Sequence, residues 1–196
     1  MRIFVVSKGD SLYSIARKFG VSPTELSYIN ALSDPDRLTV GQTLVIPGGS
    51  APQGQIEVNG YAYPNISDTV LSEALPYMTF LCPFSWHIDA AGGITPVDDK
   101  RMISRAYETA TAPMLTLTNI GTSGGFSSDI AHAIFTDDAA QTTLIDNILA
   151  ALRSRGYYGV NLNIEYVYPF DRAGYNAFLK KLSETLHPKG DYLTSA

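Results

Sequence analysis

Cysteine is almost absent from this chain of 196 residues: Cys82 stands alone. That excludes an intrachain disulfide. It also leaves burial as a small hydrophobe as the expected state of the thiol, since no activating base is placed beside it in sequence. Charge is sparse too, at 17% of residues against 45% hydrophobic, a balance that fits a globular chain and not a disordered one. The formal net charge is -5, and no basic run interrupts it. The electrostatic footprint of a nucleic-acid binder is therefore missing, as is the Lys/Arg cluster that anionic membranes recruit. An uncharged or mildly acidic partner such as a glycan is compatible with the balance. No apolar stretch approaches the roughly 18 residues of a spanning helix. No long apolar segment follows Met1 and Arg2, so no secretory leader is expected. His87, His132 and His187 lack metal-ligand spacing. Gly121-Thr122-Ser123-Gly124-Gly125 lacks the Gly-Lys-Ser/Thr ending of a phosphate loop and reads as a glycine-rich connection.

Two blocks are present: residues 1–48 and 56–196, joined by 49–55, a small, polar stretch broken by Gly and Pro that reads as a linker. In the first block, 3–6 is a short strand candidate. Asp10 is placed as an N-cap ahead of Leu12, Ile15, Ala16 and Phe19, which share a helical face, and Gly20 is the stop. Ser22, Pro23 and Glu25 open a second helix with a cap, a first-turn proline and a capping-box position. Residues 43–46 close the block as a strand before Pro47. So small a βααβ unit has a thin core.

The first block resembles a LysM domain. The matching residues are Val6, Lys8-Gly9-Asp10-Ser11-Leu12, Ile15-Ala16, Phe19-Gly20-Val21, Leu26, Asn30, Leu38 and the run from Val40 through Pro47. The resemblance implies binding to polymers containing N-acetylglucosamine, peptidoglycan or chitin. It implies a sugar groove between the loop entering the first helix and the loop before the last strand. That groove maps here onto Gly9, Asp10, Ser11 and Leu12, and less tightly onto the surroundings of Leu38. Gly9-Asp10-Ser11 would serve equally as a capped turn.

The second block alternates strand candidates at 60–63, 77–82, 114–119 and 159–166 with helical stretches at 100–110, 139–153 and 172–186. That alternation implies parallel βα units. A fifth strand begins at Tyr192-Leu193-Thr194. The chemically informative segment is the fourth strand. Side chains alternate along a strand, so Asn161, Asn163 and Glu165 share one face and Val160, Leu162 and Ile164 the other. Three hydrogen-bonding groups turned into a sheet or barrel interior are costly without a use. The carboxylate stands last, towards the C-terminal end of its strand, which is the active face of a barrel. A satisfied polar ladder or an exposed edge strand would give the same alternation. Tyr61, Tyr63, Phe84 and Trp86 could stack on sugar rings or serve as packing.

This segment resembles the fourth-strand signature of family-18 glycoside hydrolases, in which alternating acidic residues end in a glutamate. Phe80-Leu81-Cys82-Pro83-Phe84-Ser85, Pro96-Val97-Asp98-Asp99, Leu117-Thr118-Asn119, Gly125-Phe126-Ser127-Ser128 and the run from Tyr166 through Arg172 fit the same subgroup. That subgroup includes LysM-bearing N-acetylglucosaminidases of spore cortex peptidoglycan. The implied fold class is α/β: a partial TIM (β/α)8 barrel of about four βα units behind a small LysM domain. The implied chemistry is substrate-assisted retention, with Glu165 as acid and base and the sugar's own acetamido group as nucleophile. Asn163 and Asn161 would lie under that group, Tyr61 would contact substrate, and neither metal nor organic cofactor is required. Asn163 stands where the family has aspartate, and Tyr158 where many members have an acid. The resemblance places the protein at the spore or cell envelope. A glycan-binding or spore-coat protein without catalysis is the alternative, and a chitinase would use the same chemistry on another polymer. A complete barrel takes about 250 residues, more than 56–196 supply, so the chain alone is expected to be nearly inactive and to self-associate through open sheet edges.

Overall fold

The computed structural model describes residues 2–48, 54 and 56–196. The expected linker 49–55 lies outside the described residues except for Gly54. The chain divides into two compact units, Met1–Ile56 and Glu57–Ala196.

In the first unit β1 (Arg2–Val5) pairs antiparallel with β2 (Thr43–Ile46), Arg2 opposite Ile46 and Val5 opposite Thr43. Helices α1 (Leu12–Phe19) and α2 (Pro23–Ile29) pack on them over Val6, Leu12, Ile15, Ala16, Leu26, Leu44 and Ile46. Seven buried side chains make a small core, and Asn30 reinforces it. Its Nδ2 donates to the carbonyls of Leu26 and Val45, and its Oδ1 accepts from Val45 N–H at 2.7 Å, tying the end of α2 to β2. The cap of α1 corrects the sequence reading: it is Ser11, not Asp10. The Ser11 hydroxyl accepts from Ser14 N–H, and the Ser14 hydroxyl in turn accepts from Ser11 N–H, a reciprocal box that satisfies two orphan donors. Asp10 instead accepts from Ser7 N–H at 2.8 Å and closes the preceding turn. Gly20 ends the helix in the left-handed conformation, φ 68°. Ser22 caps α2 as expected, accepting from Glu25 N–H.

The second unit is built on a parallel sheet. Strands β3 (Asn59–Ala62), β4 (Phe80–Pro83), β7 (Ala112–Thr118), β8 (Gly159–Asn163) and β9 (Tyr192–Ser195) lie side by side in chain order. The second strand is interrupted. β4 pairs with the start of β7, and β5 (Trp86–Ile88) resumes pairing at its end, Trp86 opposite Leu117, before turning into a hairpin with β6 (Ile94–Thr95). The expected strand at 77–82 is shortened at its start, because Leu75–Tyr77 forms a 3-10 turn capped by Met78. Helices α3 (Asp68–Ala74), α4 (Lys100–Glu108), α5 (Ser128–Thr136), α6 (Asp138–Arg155) and α7 (Arg172–Leu186) fill the connections. The stretch expected as one helix at 139–153 is α6, and a separate helix, α5, precedes it. Asp137 ends one and caps the other, its carboxylate accepting from Ala139 and Ala140 N–H.

All five helices lie on one face of the sheet. Leu71 of α3 and Met102 and Ala106 of α4 cluster with Leu81. Ile134, Leu144, Ile148, Phe178 and Leu182 of α5, α6 and α7 cluster with Leu115, Leu117, Val160 and Leu162. A doubly wound sheet would carry helices on both faces; one-sided coverage is the arrangement of a barrel wall. The opposite face changes character along the strands. Near their N-terminal ends it is apolar, with Phe80, Cys82 and Met114 in contact. Two and four residues further on it presents Thr116 and Thr118 on β7, and Asn161 and Asn163 on β8, all buried. The fold thus carries polar groups to the C-terminal ends of its strands.

Candidate functional site

β8 stops at Asn163, two residues short of Glu165. The strand expected over 159–166 is thus truncated, and Glu165 follows it as an exposed residue. The cause lies in β7, whose backbone turns away after Thr118, the partner of Asn163. The side chain of Asn119 replaces the missing backbone partner. Its Oδ1 accepts from Glu165 N–H at 3.0 Å, and its Nδ2 donates to Glu165 C=O at 2.9 Å and to Ser127 C=O at 2.9 Å. Asn119 is fully buried, so this amide is bound by protein on both ends and holds the acid-bearing backbone in one position.

Beneath Glu165 the expected polar face is present. Asn161 accepts the Tyr61 hydroxyl at 2.9 Å and donates to the Thr194 hydroxyl at 2.8 Å, linking three strands. Ser85 and Thr118 share a buried hydroxyl–hydroxyl bond at 2.9 Å. Among the described residues, Thr116 Oγ1 is the buried side-chain polar atom left without a hydrogen-bond partner. Burial raises the Tyr61 hydroxyl above its ordinary pKa, with smaller contributions in the same direction from Cys82 and from the Glu165 carboxylate. Burial likewise pushes the Cys82 thiol up to about 11. A thiol so placed is an inert core group, not a nucleophile.

The aromatics considered for sugar stacking separate into two sets. Trp86 is buried, donates from Nε1 to Asp99 at 2.7 Å and packs against Tyr157, so it belongs to the core. Tyr61 and Tyr63 are exposed and both pack edge-on against Phe84. Tyr166, directly after Glu165, has φ 56°. For a bulky residue the left-handed region is strained by roughly 1–3 kcal/mol. The three histidines do not converge, and the described residues contain no cluster of His, Cys, Asp or Glu able to hold a metal.

The first unit carries a cleft of about 810 Å³ between the start of α1, one side of α2 and the following loop. Of the residues expected in a sugar groove Leu12 lines this cleft, while Gly9, Asp10, Ser11 and Leu38 are not among its walls; Asp10 and Ser11 instead form the turn and cap before α1. Its walls include Tyr13 and Tyr28, which are 67% and 85% exposed. Neither tyrosine was singled out from sequence. The available signal was that each is a large aromatic on the polar side of its helix, outside the buried stripe.

Residues 4–47 match the LysM domain family. The whole chain is 30% identical to the cortical fragment-lytic enzyme of Bacillus subtilis over 251 residues, covering 100% of this chain and 58% of that protein. The solved structure of the Bacillus cereus spore cortex-lytic enzyme SleL superposes with a TM-score of 0.70 at 31% identity, covering 100% of this chain and 46% of that one. A chitinase from Chromobacterium violaceum shares the fold of the second unit, with a TM-score of 0.64 at 23% identity over 71% of this chain and 45% of its own. The chain spans about half the length of the relatives it matches. Residues 4–47 are therefore a LysM domain, and the second unit has the fold of part of the barrel found in the spore cortex-lytic enzymes and chitinases, to the first of which the whole chain is similar.

Proposed function

We propose that this protein hydrolyses β-1,4 glycosidic bonds at N-acetylglucosamine in peptidoglycan, that of the spore cortex in particular, and that its LysM unit holds the enzyme on the same polymer. The observation that carries this reading is the Asn119–Glu165 clasp. It fixes the backbone that bears a carboxylate at the C-terminal end of a parallel sheet whose helix-free face carries amides and hydroxyls. Likeness to cortex-lytic enzymes over the entire chain supports it.

In the proposed mechanism Glu165, protonated, gives its proton to the glycosidic oxygen as the bond to the anomeric carbon breaks. The carbonyl oxygen of the substrate's own 2-acetamido group attacks that carbon, closing an oxazolinium ring with retention overall. Glu165, now ionised, takes a proton from water as the water opens the ring. Asn163 holds the acetamido group by hydrogen bonding but brings no negative charge. Asn161, held between Tyr61 and Thr194, backs Asn163 from below. The protein acts at the spore or cell wall; among the described residues no helix is long and apolar enough to cross a membrane. β3 and β9 are the edges of the sheet, and chains in which no further strand covers them self-associate.

The test is release of new reducing ends from purified cortex fragments, with Glu165→Gln as the control. Turnover that survives Glu165→Gln would reject the assignment. Asn163 favours a second reading, a glycan-binding protein without catalysis. Tight binding to cortex by a chain that never releases reducing ends would select it.

A further inference from the structure

The end of the sheet remote from Glu165 has a cleft of its own, of about 360 Å³. Thr79, Ala112, Tyr158 and Tyr192 line it from the first residues of β4, β7, β8 and β9 or the positions just before them. β8 runs from Tyr158 towards Glu165, which puts the two roughly 20 Å apart. The rings of Phe80, Tyr158 and Tyr192 cluster with centroids 4.8–6.2 Å apart, and Tyr107 adds a fourth ring from α4. A Cβ at Gly159 would collide with the Tyr192 backbone, so glycine there lets β8 and β9 bring these rings together. The three tyrosines keep 40–53% of their surface exposed. Their surroundings are fixed. The Tyr107 hydroxyl donates to Gly156 C=O at 2.8 Å, the Thr111 hydroxyl donates to Leu75 C=O at 2.8 Å, and the Thr79 hydroxyl accepts from Val58 N–H at 3.0 Å. Glu57 is the one charged residue on the lining, and among the described residues its carboxylate has no ion pair. Its charge is felt inside the cleft: the Tyr158 hydroxyl is raised above its ordinary pKa, first by its neighbour Tyr192 and further by Glu57 and Tyr107. A cleft whose charge is all of one sign concentrates ions of the other.

We infer that this cleft binds an organic cation bearing a trimethylammonium group, with the tyrosine rings supplying cation–π attraction and Glu57 the opposite charge. The occupant follows from charge complementarity and from what the walls can bond. No Lys, Arg or His lines the cleft, so an anion finds no partner there. A primary ammonium brings three N–H donors to satisfy, and the wall hydroxyls of Thr79, Thr111 and Tyr107 are already engaged within the protein. A trimethylammonium group brings none, and its polarised methyl groups lie directly against ring faces. Tyr158, which stands where many family-18 members have an acid, supplies one of those faces. The inference is independent of the chemistry proposed at Glu165.

The full chain, with its tyrosine rings isotopically labelled, is titrated with choline and followed by NMR. Saturable shifts are expected at Tyr107, Tyr158 and Tyr192. The neutral isostere 3,3-dimethylbutanol should bind about tenfold more weakly, and ethanolamine, which keeps the charge and lacks the methyl groups, about fivefold more weakly. Glu57→Gln should weaken choline binding about fivefold, as expected for loss of one exposed opposite charge. Tyr107→Ala should weaken it about tenfold, while Tyr107→Phe, which keeps the ring, should stay within about twofold. Absence of saturable shifts overturns the inference. So does equal affinity for the neutral isostere, which would make the cleft an apolar groove, or choline binding that is unchanged in Glu57→Gln. Ethanolamine binding as tightly as choline overturns the assignment to a trimethylammonium group, and shifts of the same rings with chitohexaose would make the cleft a glycan surface instead.

Discussion

The side chain of Asn119 grips the backbone of Glu165 at both its N–H and its C=O, at 3.0 and 2.9 Å. A β-ladder continues by one step through a side-chain amide where the neighbouring main chain has already left the sheet. The backbone of Glu165 is positioned by this contact, since β8 itself ends at Asn163.

Asn119→Ala leaves two backbone groups of Glu165 without protein partners and should cost about 1–3 kcal/mol of stability. Near-attack geometry is sensitive to displacements of about 1 Å, worth about 100-fold in rate, so kcat should fall by one to two orders of magnitude while KM changes little. Thermal unfolding and steady-state kinetics check the two parts. Unchanged kcat would remove Asn119 from the positioning of the acid.

In a version of the protein with a complete barrel, Asn163→Asp should raise kcat. A charged hydrogen-bond partner contributes roughly 1.5–3 kcal/mol against about 1 for a neutral one. As positive charge spreads onto the oxazolinium ring, that difference corresponds to roughly a 5- to 30-fold gain. Binding should barely change, and Glu165→Gln should abolish turnover in either background. A slower Asn163→Asp enzyme together with an active Glu165→Gln enzyme would mean the site is misassigned.

Cys82 links stability to pH. Its thiol moves from 9.0 to about 11 on folding because burial disfavours the thiolate. The raised folded value means the stabilisation is complete below pH 9 and is lost as pH rises towards 11, by about 2–3 kcal/mol at about 1.4 per unit. Tyr157, also raised chiefly by burial, adds a loss of the same sign at still higher pH. Urea titrations at pH 8 and pH 10.5 should show the decline, and Cys82→Ala should reduce it. Rapid alkylation of the native thiol at pH 8 would contradict the buried placement.

In the LysM unit, Tyr13→Ala or Tyr28→Ala should weaken chitohexaose binding about tenfold, the equivalent of about 1.4 kcal/mol. Ser11→Ala should instead cost about 1 kcal/mol of stability through loss of the cap, with affinity of the folded unit preserved. Calorimetry and thermal unfolding separate the two effects. If Ser11→Ala abolishes binding while Tyr28→Ala does not, the cleft beside α2 is not the sugar site.

Local chemistry made much of this protein legible. Gly20, Ser22 and Pro23 mark helix ends through backbone preferences that need no tertiary partner. The alternation of Asn161 and Asn163 with Val160 and Leu162 assigns opposite faces of a strand, and those faces are found as read. The cap at Ser11 was misread by one residue because Asp10 and Ser11 are both good caps, and only the reciprocal bond with Ser14 decides between them. The run at 139–153 gave no sign of α5, since Asp137 serves as the end of one helix and the start of the next.

What the sequence determined by itself is the type of the main elements, the polar segment that leads to Glu165 and the likeness of both units to known folds. These rest on periodicity, capping and spacing, which are properties of neighbours along the chain. Tertiary structure alone decided that Asn119, 46 positions away, holds Glu165. It also decided that Trp86 is core while Tyr166 and Phe170 are surface, and that Asn161 meets Tyr61 across the sheet. Contacts of that kind depend on where a loop leaves its strand and which side chain fills the gap, and no local pattern encodes either.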